Sequence, residues 1–256
     1  MLINFVADVH GAYDRLHSLL DPSIPLIVLG DNLNMMDFRT FEGIATEMLD
    51  ADDFRCILEA LGRGDRKNAM SIARSRIFDD PQRLLLAQSI VEREYRKLKA
   101  VLPPQSIVMY GNVDFPEQLE QVLGPEMFVD FGVREIGALR FGFVSGTPPY
   151  EQSMGLPGEI PLDEYEKRLA ELGPVDILCT HMPPDVDDLC FDTVVNRNWG
   201  GCRAINKYMN EYQPLYHLFG HIHNPRVSEI KKGRTIIRNA GGFRYNGKLF
   251  SPDLPI

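Results

Sequence analysis

Cysteine is sparse. The 256 residues carry four, Cys56, Cys179, Cys190 and Cys202. No two form a CxxC pair and none has zinc-site spacing, which sets aside a paired-cysteine redox or zinc centre. Cys179 lies in an apolar stretch and reads as a small buried hydrophobe. Long hydrophobic runs are also missing. The longest, residues 25–29 and 175–179, fall far short of the roughly 20 residues that cross a bilayer as a helix. Residues 1–7 have neither the basic start nor the long apolar core of a secretory signal, so a cytoplasmic location and no membrane partner are the default expectation. Positive charge is scarce as well: 27 Lys and Arg stand against 36 Asp and Glu, a formal charge of −9. Nonspecific duplex binding draws on a basic surface, so a nucleic-acid partner is not expected. A small phosphate ester is not excluded, because bound divalent cations would supply a local positive field.

What is present is ordinary in bulk and specific in pattern. Hydrophobic residues make up 44%, as in other soluble globular chains. The length suits one large domain or two small ones. Apolar stretches at residues 2–7, 25–29, 106–110, 175–180 and 215–219 read as strands. Further strands are expected near 128–130, 133–136 and 139–144, and in the tail at 226–230, 235–238 and 244–250. Turns at Lys232-Gly233 and Asn246-Gly247 would join the tail strands. Helices are expected over 12–20, 117–123, 162–172 and 204–212. A long helical segment over 38–102 carries apolar residues at three and four spacing, such as Phe41, Ile44, Ala45 and Met48, then Leu84, Leu85 and Val91. Gly62 and Gly64 mark a turn inside it. Residues 145–161, rich in Gly and Pro, read as irregular. Strands alternating with helices define an α/β class, read as one domain over 1–256. Residues 35–104 read as a helical insertion, suited to a cap or to a dimerisation element of a homo-oligomer.

Five short motifs sit at the ends of predicted strands: Asp8-Val9-His10, Gly30-Asp31-Asn32, Gly111-Asn112-Val113-Asp114, Thr180-His181 and Gly220-His221-Ile222-His223. Open α/β sheets gather ligands at strand C-termini. Seven donors, Asp8, His10, Asp31, Asn112, His181, His221 and His223, would therefore converge. Glycines beside the donors let the chain curl there. A carboxylate can bridge two cations, and Asp31 is the natural bridge between the two sets. Imidazoles and the Asn112 carbonyl oxygen complete the shells. A lone Asp-x-His or His-x-His is weak evidence. Five elements in this order, each after an apolar strand, are not. His17 and His217 match no element and read as structural or surface residues.

The order DxH, GD, GNx[DE], H, GHxH resembles the calcineurin-like metallophosphoesterase superfamily from residue 8 to residue 223. His181-Met182-Pro183-Pro184 resembles the family's HxPP turn, and Asn239-Ala240-Gly241-Gly242 its Asn-Pro-Gly-Ser turn. The resemblance implies a four-layer αββα sandwich of two mixed sheets flanked by helices. It implies one metal held by Asp8, His10, Asp31 and His223, and another by Asp31, Asn112, His181 and His221. Asp31, Asn112 and His181 would be the catalytic set, with a hydroxide between the metals attacking phosphorus in line. Manganese is the first expectation for the two divalent ions; zinc, iron and nickel also suit these ligands.

Two departures refine the expectation. Many members carry His directly after the motif Asn, with an Asp to orient it; here those positions are Val113 and Asn34. The pattern resembles the small bacterial and archaeal phosphodiesterase branch. General-acid help is typically worth about 10²–10⁴ in rate, so its absence favours good leaving groups and a diester. Alternatives are a phosphomonoesterase or nucleotide phosphatase, and a non-catalytic scaffold. Asn198 and Gly201, before a predicted helix, and Arg226, Arg238 and Arg244, after the last motif, are candidate phosphate contacts. Trp199 is a candidate stacking surface, and Asp114 a candidate acceptor behind the ligands.

Overall fold

The computed structural model describes residues 2–254 except Phe38, Arg39, Phe41, Glu151, Gln152 and Met154. Strand alternation builds the layers. β1 (Asn4–Val6), β2 (Leu26–Leu29) and β3 (Ile107–Met109) pair in parallel in the order β1-β2-β3. An antiparallel bridge from Phe250 to Phe5 makes this small sheet mixed. Its odd and even residues face opposite ways. Phe5, Ile27, Leu29, Ile107 and Met109 point to the second sheet, where they meet Phe141, Phe143, Ile177, Cys179 and Leu218. Val6, Leu26, Val28 and Val108 point outward to helices.

Those helices are α1 (Tyr13–His17) and the run between β2 and β3: α2 (Ala45–Met48), α3 (Ala51–Gly62), α4 (Arg66–Phe78) and α5 (Pro81–Val101). α6 (Pro116–Leu123) follows β3. Each long helix in the run starts at an aspartate. Asp50, Asp65 and Asp80 accept hydrogen bonds from first-turn amides, and Asp50 forms a capping box with Asp53, worth about 1 kcal/mol per cap. Ion pairs from Arg76 and Arg83 to buried Asp53 tie α3, α4 and α5 together. α5 packs Ala87, Ile90, Val91, Tyr95 and Leu98 against the small sheet. It therefore belongs to the outer layer, with α2 and α4 packed on it and α3 packed on α4. The expected helix start at 38 and the seam residue Phe41 lie outside the described residues.

The large sheet collects β4 (Phe131–Ile136), β5 (Leu139–Val144), β6 (Ile177–Thr180), β9 (Tyr216–Phe219), β10 (Glu229–Lys232) and β11 (Thr235–Asn239) in the order β10-β11-β9-β6-β5-β4. Its outer face buries Val144, Leu178, Phe219 and Ile237 against α7 (Leu162–Glu171) and α9 (Arg203–Tyr212). Helices, sheet, sheet, helices: the four layers match the α/β sandwich expected. Between β6 and α9 lie α8 (Asp187–Cys190) and a two-strand ribbon, β7 (Phe191–Asp192) and β8 (Arg197–Asn198).

Three expected strands differ. Residues 128–130 contribute only a bridge from Phe128 to Val108. The strand expected at 226–230 begins at Glu229, because the Arg226 and Val227 amides donate to Phe191 and Asp188 carbonyls instead. Residues 244–250 do not form a strand: α10 (Phe243–Asn246) is a single helical turn. Left-handed Gly242 and Gly247, φ 71° and 60°, bracket it. Asn246-Gly247 thus ends a helix rather than closing a hairpin.

Candidate metal centre

The loops after β1, β2, β3, β6 and β9 bring all seven predicted donors to one end of the two sheets. Asp8, His10, Asp31 and His223 offer ligand atoms within 4.8 Å of one another, and Asp31, His181 and His221 form a second such group. Asn112 joins the second group, its Oδ1 2.9 Å from His221 Nδ1. Asp31 belongs to both: Oδ2 lies 3.7 Å from His10 Nε2 and Oδ1 lies 3.3 Å from His181 Nε2.

Backbone conformation at these tips is strained. Among the described residues, six non-glycine positions have positive φ, and four are donors: Asp8 (56°), His10 (42°), Asp31 (55°) and His221 (70°). Such a conformation costs on the order of 1–3 kcal/mol and persists only where the surroundings impose it. Two glycines expected to curl serve closeness instead. A Cβ on Gly220 would lie 2.5 Å from Ala7 Cβ, and one on Gly111 would lie 2.7 Å from His181 Nε2.

Supporting bonds fix each donor. Asp8 accepts from the amides of His221 (2.9 Å) and Gly242 (2.8 Å), which explains the Asn239–Gly242 turn. His10 Nδ1 donates to Leu33 O and His181 Nδ1 to Leu29 O, which aims each Nε2 into the site. Asp114, fully buried, accepts from the amides of Asn32, Leu33 and Gly111 and from Tyr95 Oη. It clamps the β2 and β3 tips together behind the donors.

The donors fit divalent metal ions. His181 Nε2 is buried with no hydrogen-bond partner, and His10 Nε2 faces His223 Nε2 at 2.9 Å. Ring nitrogens and carboxylate oxygens this closely gathered suit an ion with bonds of roughly 2.0–2.2 Å. Charge balance points the same way. Burial opposes protonation of His181, but Asp31 and Asp8 push its pKa up to about 9. Burial raises the Asp31 pKa, yet His181, His10 and His221 outweigh it and hold the carboxyl well below the usual range. Burial and His181 push His221 down to about 3. The site wants positive charge, and a proton on His181 is only a partial answer.

A cavity of about 300 Å³ opens over the donors. Its lining includes Tyr150, Val195 and Trp199, together with Met36, Leu61 of α3 and Met70 of α4. Val113 and Asn34 stand beside a smaller cavity of about 120 Å³ that shares several of these residues. The expected substrate contacts lie elsewhere. Asn198, Gly201, Arg226 and Arg244 do not line the main cavity. Asn198 donates to Asp187, and Gly201 is packed against the Pro184 carbonyl. Arg226 pairs with Asp188 and covers the Phe191 ring. Arg244 donates to His10 O and Glu42 and lies 3.6 Å from Asp37, buttressing the first loop. Arg238 pairs with Glu229. Tyr150, Leu61 and Met70 were not singled out by sequence. Tyr150 sits in the irregular Gly/Pro-rich stretch, and the other two look like any helix-seam residues.

Two donor groups sharing Asp31, on a sandwich of two sheets, suit a metal-dependent hydrolase. The chain matches the calcineurin-like phosphoesterase family over residues 1–225 and belongs to it; it is a metal-dependent phosphoesterase by that membership. No curated protein matches the chain. Among solved structures it is similar to TT1561 of Thermus thermophilus, at 12% identity and TM-score 0.53 over 98% of this chain and 97% of that one. It is also similar to the phosphopantetheinyl hydrolase PptH from Mycobacterium tuberculosis, at 13% identity and TM-score 0.53 over 100% and 96%. At these identities the likeness is one of fold. No helix among the described residues is long and apolar enough to cross a membrane.

Proposed function

We propose that the protein hydrolyses a small phosphodiester at a two-metal centre in the cytoplasm. Asp8, His10, Asp31 and His223 would hold one divalent ion; Asp31, Asn112, His181 and His221 would hold the other. With carboxylate, imidazole and amide donors and no thiolate, manganese is the first choice. A bound pair supplies Lewis acidity and lowers the pKa of water. The chain's own part is placement. Leu33 O and Leu29 O fix the tautomers of His10 and His181, and the clamp at Asp114 holds Asn32 and Gly111 in register. α3 and α4 act as a cap that narrows the cavity.

The observation that supports a diester is Val113. It borders the cavity directly after Asn112 and has no proton to give. A poor leaving group on a monoester dianion would lack acid assistance there. The test loads the protein with Mn²⁺ and compares bis-p-nitrophenyl phosphate with p-nitrophenyl phosphate. Faster turnover of the diester, abolished by chelation, is expected. Clear preference for the monoester would overturn the diester assignment.

A further inference from the structure

Among the described residues lining the main cavity, few carry a proton that is not already committed. His10, His221, His223, Asp31 and Asn112 belong to the metal centre. Asp192 accepts from the Val194, Val195 and Asn224 amides. The Tyr245 hydroxyl donates to Asp37. Tyr150 differs. Its Oη accepts from Asn112 Nδ2 at 3.4 Å, which leaves its own hydroxyl proton without an acceptor among the described residues. The ring stands edge-on to His221, with centroids 4.9 Å apart, and edge-on to Trp199 at 6.5 Å. It therefore rises from the donor-lined floor as part of the cavity wall.

In-line displacement drives the leaving oxygen away from the side of attack. With attack from the donor-lined floor, the leaving oxygen faces the wall and mouth of the cavity. Of the walls there, Val113, Met36, Leu61, Met70 and Val195 offer no side-chain O–H or N–H; Trp199 has an indole N–H and Asn224 an amide, but among these described wall residues it is the Tyr150 hydroxyl that meets a donor residue, Asn112, by a hydrogen bond. We infer that Tyr150 is a catalytic residue that donates a hydrogen bond to the leaving oxygen of the ester. This rests on the phosphoesterase reading above and deepens it. An oxygen from water forms the new bond to phosphorus as the P–O bond to the leaving group breaks; the electron pair of the broken bond goes to the leaving oxygen, and solvent water supplies the proton that completes the alcohol. Tyr150 stabilises the growing negative charge and keeps its proton. Hydrogen bonds to charged groups are worth more than neutral ones, so the benefit grows with the charge on that oxygen.

The consequence is a dependence on leaving group that a structural residue would not produce. Tyr150→Phe keeps the ring on His221 and Trp199 and removes only the hydroxyl. With manganese-loaded protein, kcat/KM is measured for methyl aryl phosphodiesters whose leaving phenols range from p-nitrophenol to phenol. The variant is expected to lose about threefold with p-nitrophenol and on the order of 10²-fold with phenol, within the range of hydrogen bonds to charged groups. Its manganese affinity and stoichiometry by calorimetry should equal those of the wild type. A parallel loss across the series, or none, would overturn the assignment. So would weakened manganese binding, which would make Tyr150 a support for Asn112. If the wild type turned over no ester in the series, the phosphoesterase reading would fall and this inference with it.

Discussion

Asp31 presents one carboxylate oxygen to each donor group, 3.7 Å from His10 and 3.3 Å from His181. A single change should therefore disturb both. Asp31→Asn removes the negative charge and one oxygen ligand. Bound manganese is expected to drop from two per chain to one or fewer, and turnover to fall on the order of 10³-fold, since charge stabilisation at a reacting centre is worth that much. Elemental analysis of dialysed protein checks it; two retained ions would contradict the shared-ligand geometry. His217, by contrast, matters for stability. The Thr180 hydroxyl donates to Met182 O (2.6 Å), so His217 Nε2 must donate to Thr180 Oγ1 (2.9 Å), and Nδ1 is left bare. Burial pushes its pKa down to about 3. The unfolded chain takes up that proton near pH 6.5; the folded chain does not until about 3. Stability is complete above pH 6.5 and falls as acid is added, at roughly 1.4 kcal/mol per pH unit. Between pH 7 and 5 the wild type should lose about 2 kcal/mol more than His217→Gln. Urea unfolding at the two pH values decides this, and equal losses would contradict it.

At the scale of elements, Tyr95 links α5 to the site. Its hydroxyl donates to Asp114 Oδ1 (3.2 Å) and accepts from the Phe115 amide (2.7 Å) inside the core. Tyr95→Phe strands that buried amide and removes one donor from Asp114. A loss of about 1–3 kcal/mol is expected, read as a lower urea midpoint; a change under half a kilocalorie would show that the link carries no load. Element positions were largely legible in the sequence. Strand tips such as Asp8-Val9-His10 and Gly30-Asp31 announced themselves because apolar runs end in donors, and the alternation in Leu26–Leu29 is what divides two cores. The helical run was legible in kind but not in seam. Leu85 is 66% exposed, while Ala87, Ile90 and Tyr95 face the sheet, because spacing gives a stripe and tertiary contact chooses among overlapping stripes. Asn246-Gly247 misled for a different reason. Left-handed glycine ends helices as well as hairpins, and only the contacts of Phe243 and Arg244 with the Ala7 and Asp8 carbonyls settle which. Arginines near the last motif do not line the cavity, because exposed cations pair with the nearest carboxylate, as Arg226 does with Asp188.

For the whole molecule, the acidic surface and the apolar cavity point to the same kind of ligand. A net charge of −9 repels polyanions at range, while Met36, Leu61, Met70, Val195 and Trp199 surround the approach to the donors. An ester with a single phosphoryl charge and an apolar arm suits both. With p-nitrophenol as constant leaving group, kcat/KM should rise from methyl to propyl to hexyl esters. Each methylene that becomes buried contributes about 0.8 kcal/mol, roughly fourfold, until the cavity of about 300 Å³ is filled. Leu61→Ser combined with Met70→Ser should flatten that rise, because both side chains line the cavity from α3 and α4. Binding can be read without turnover. The chain has one tryptophan, Trp199, and it lines this cavity. A non-hydrolysable hexyl phosphonate ester should therefore shift its emission, and the methyl analogue should not at the same concentration. Equal rates for methyl and hexyl esters, with unchanged Trp199 emission, would mean that the apolar walls close the fold and select nothing.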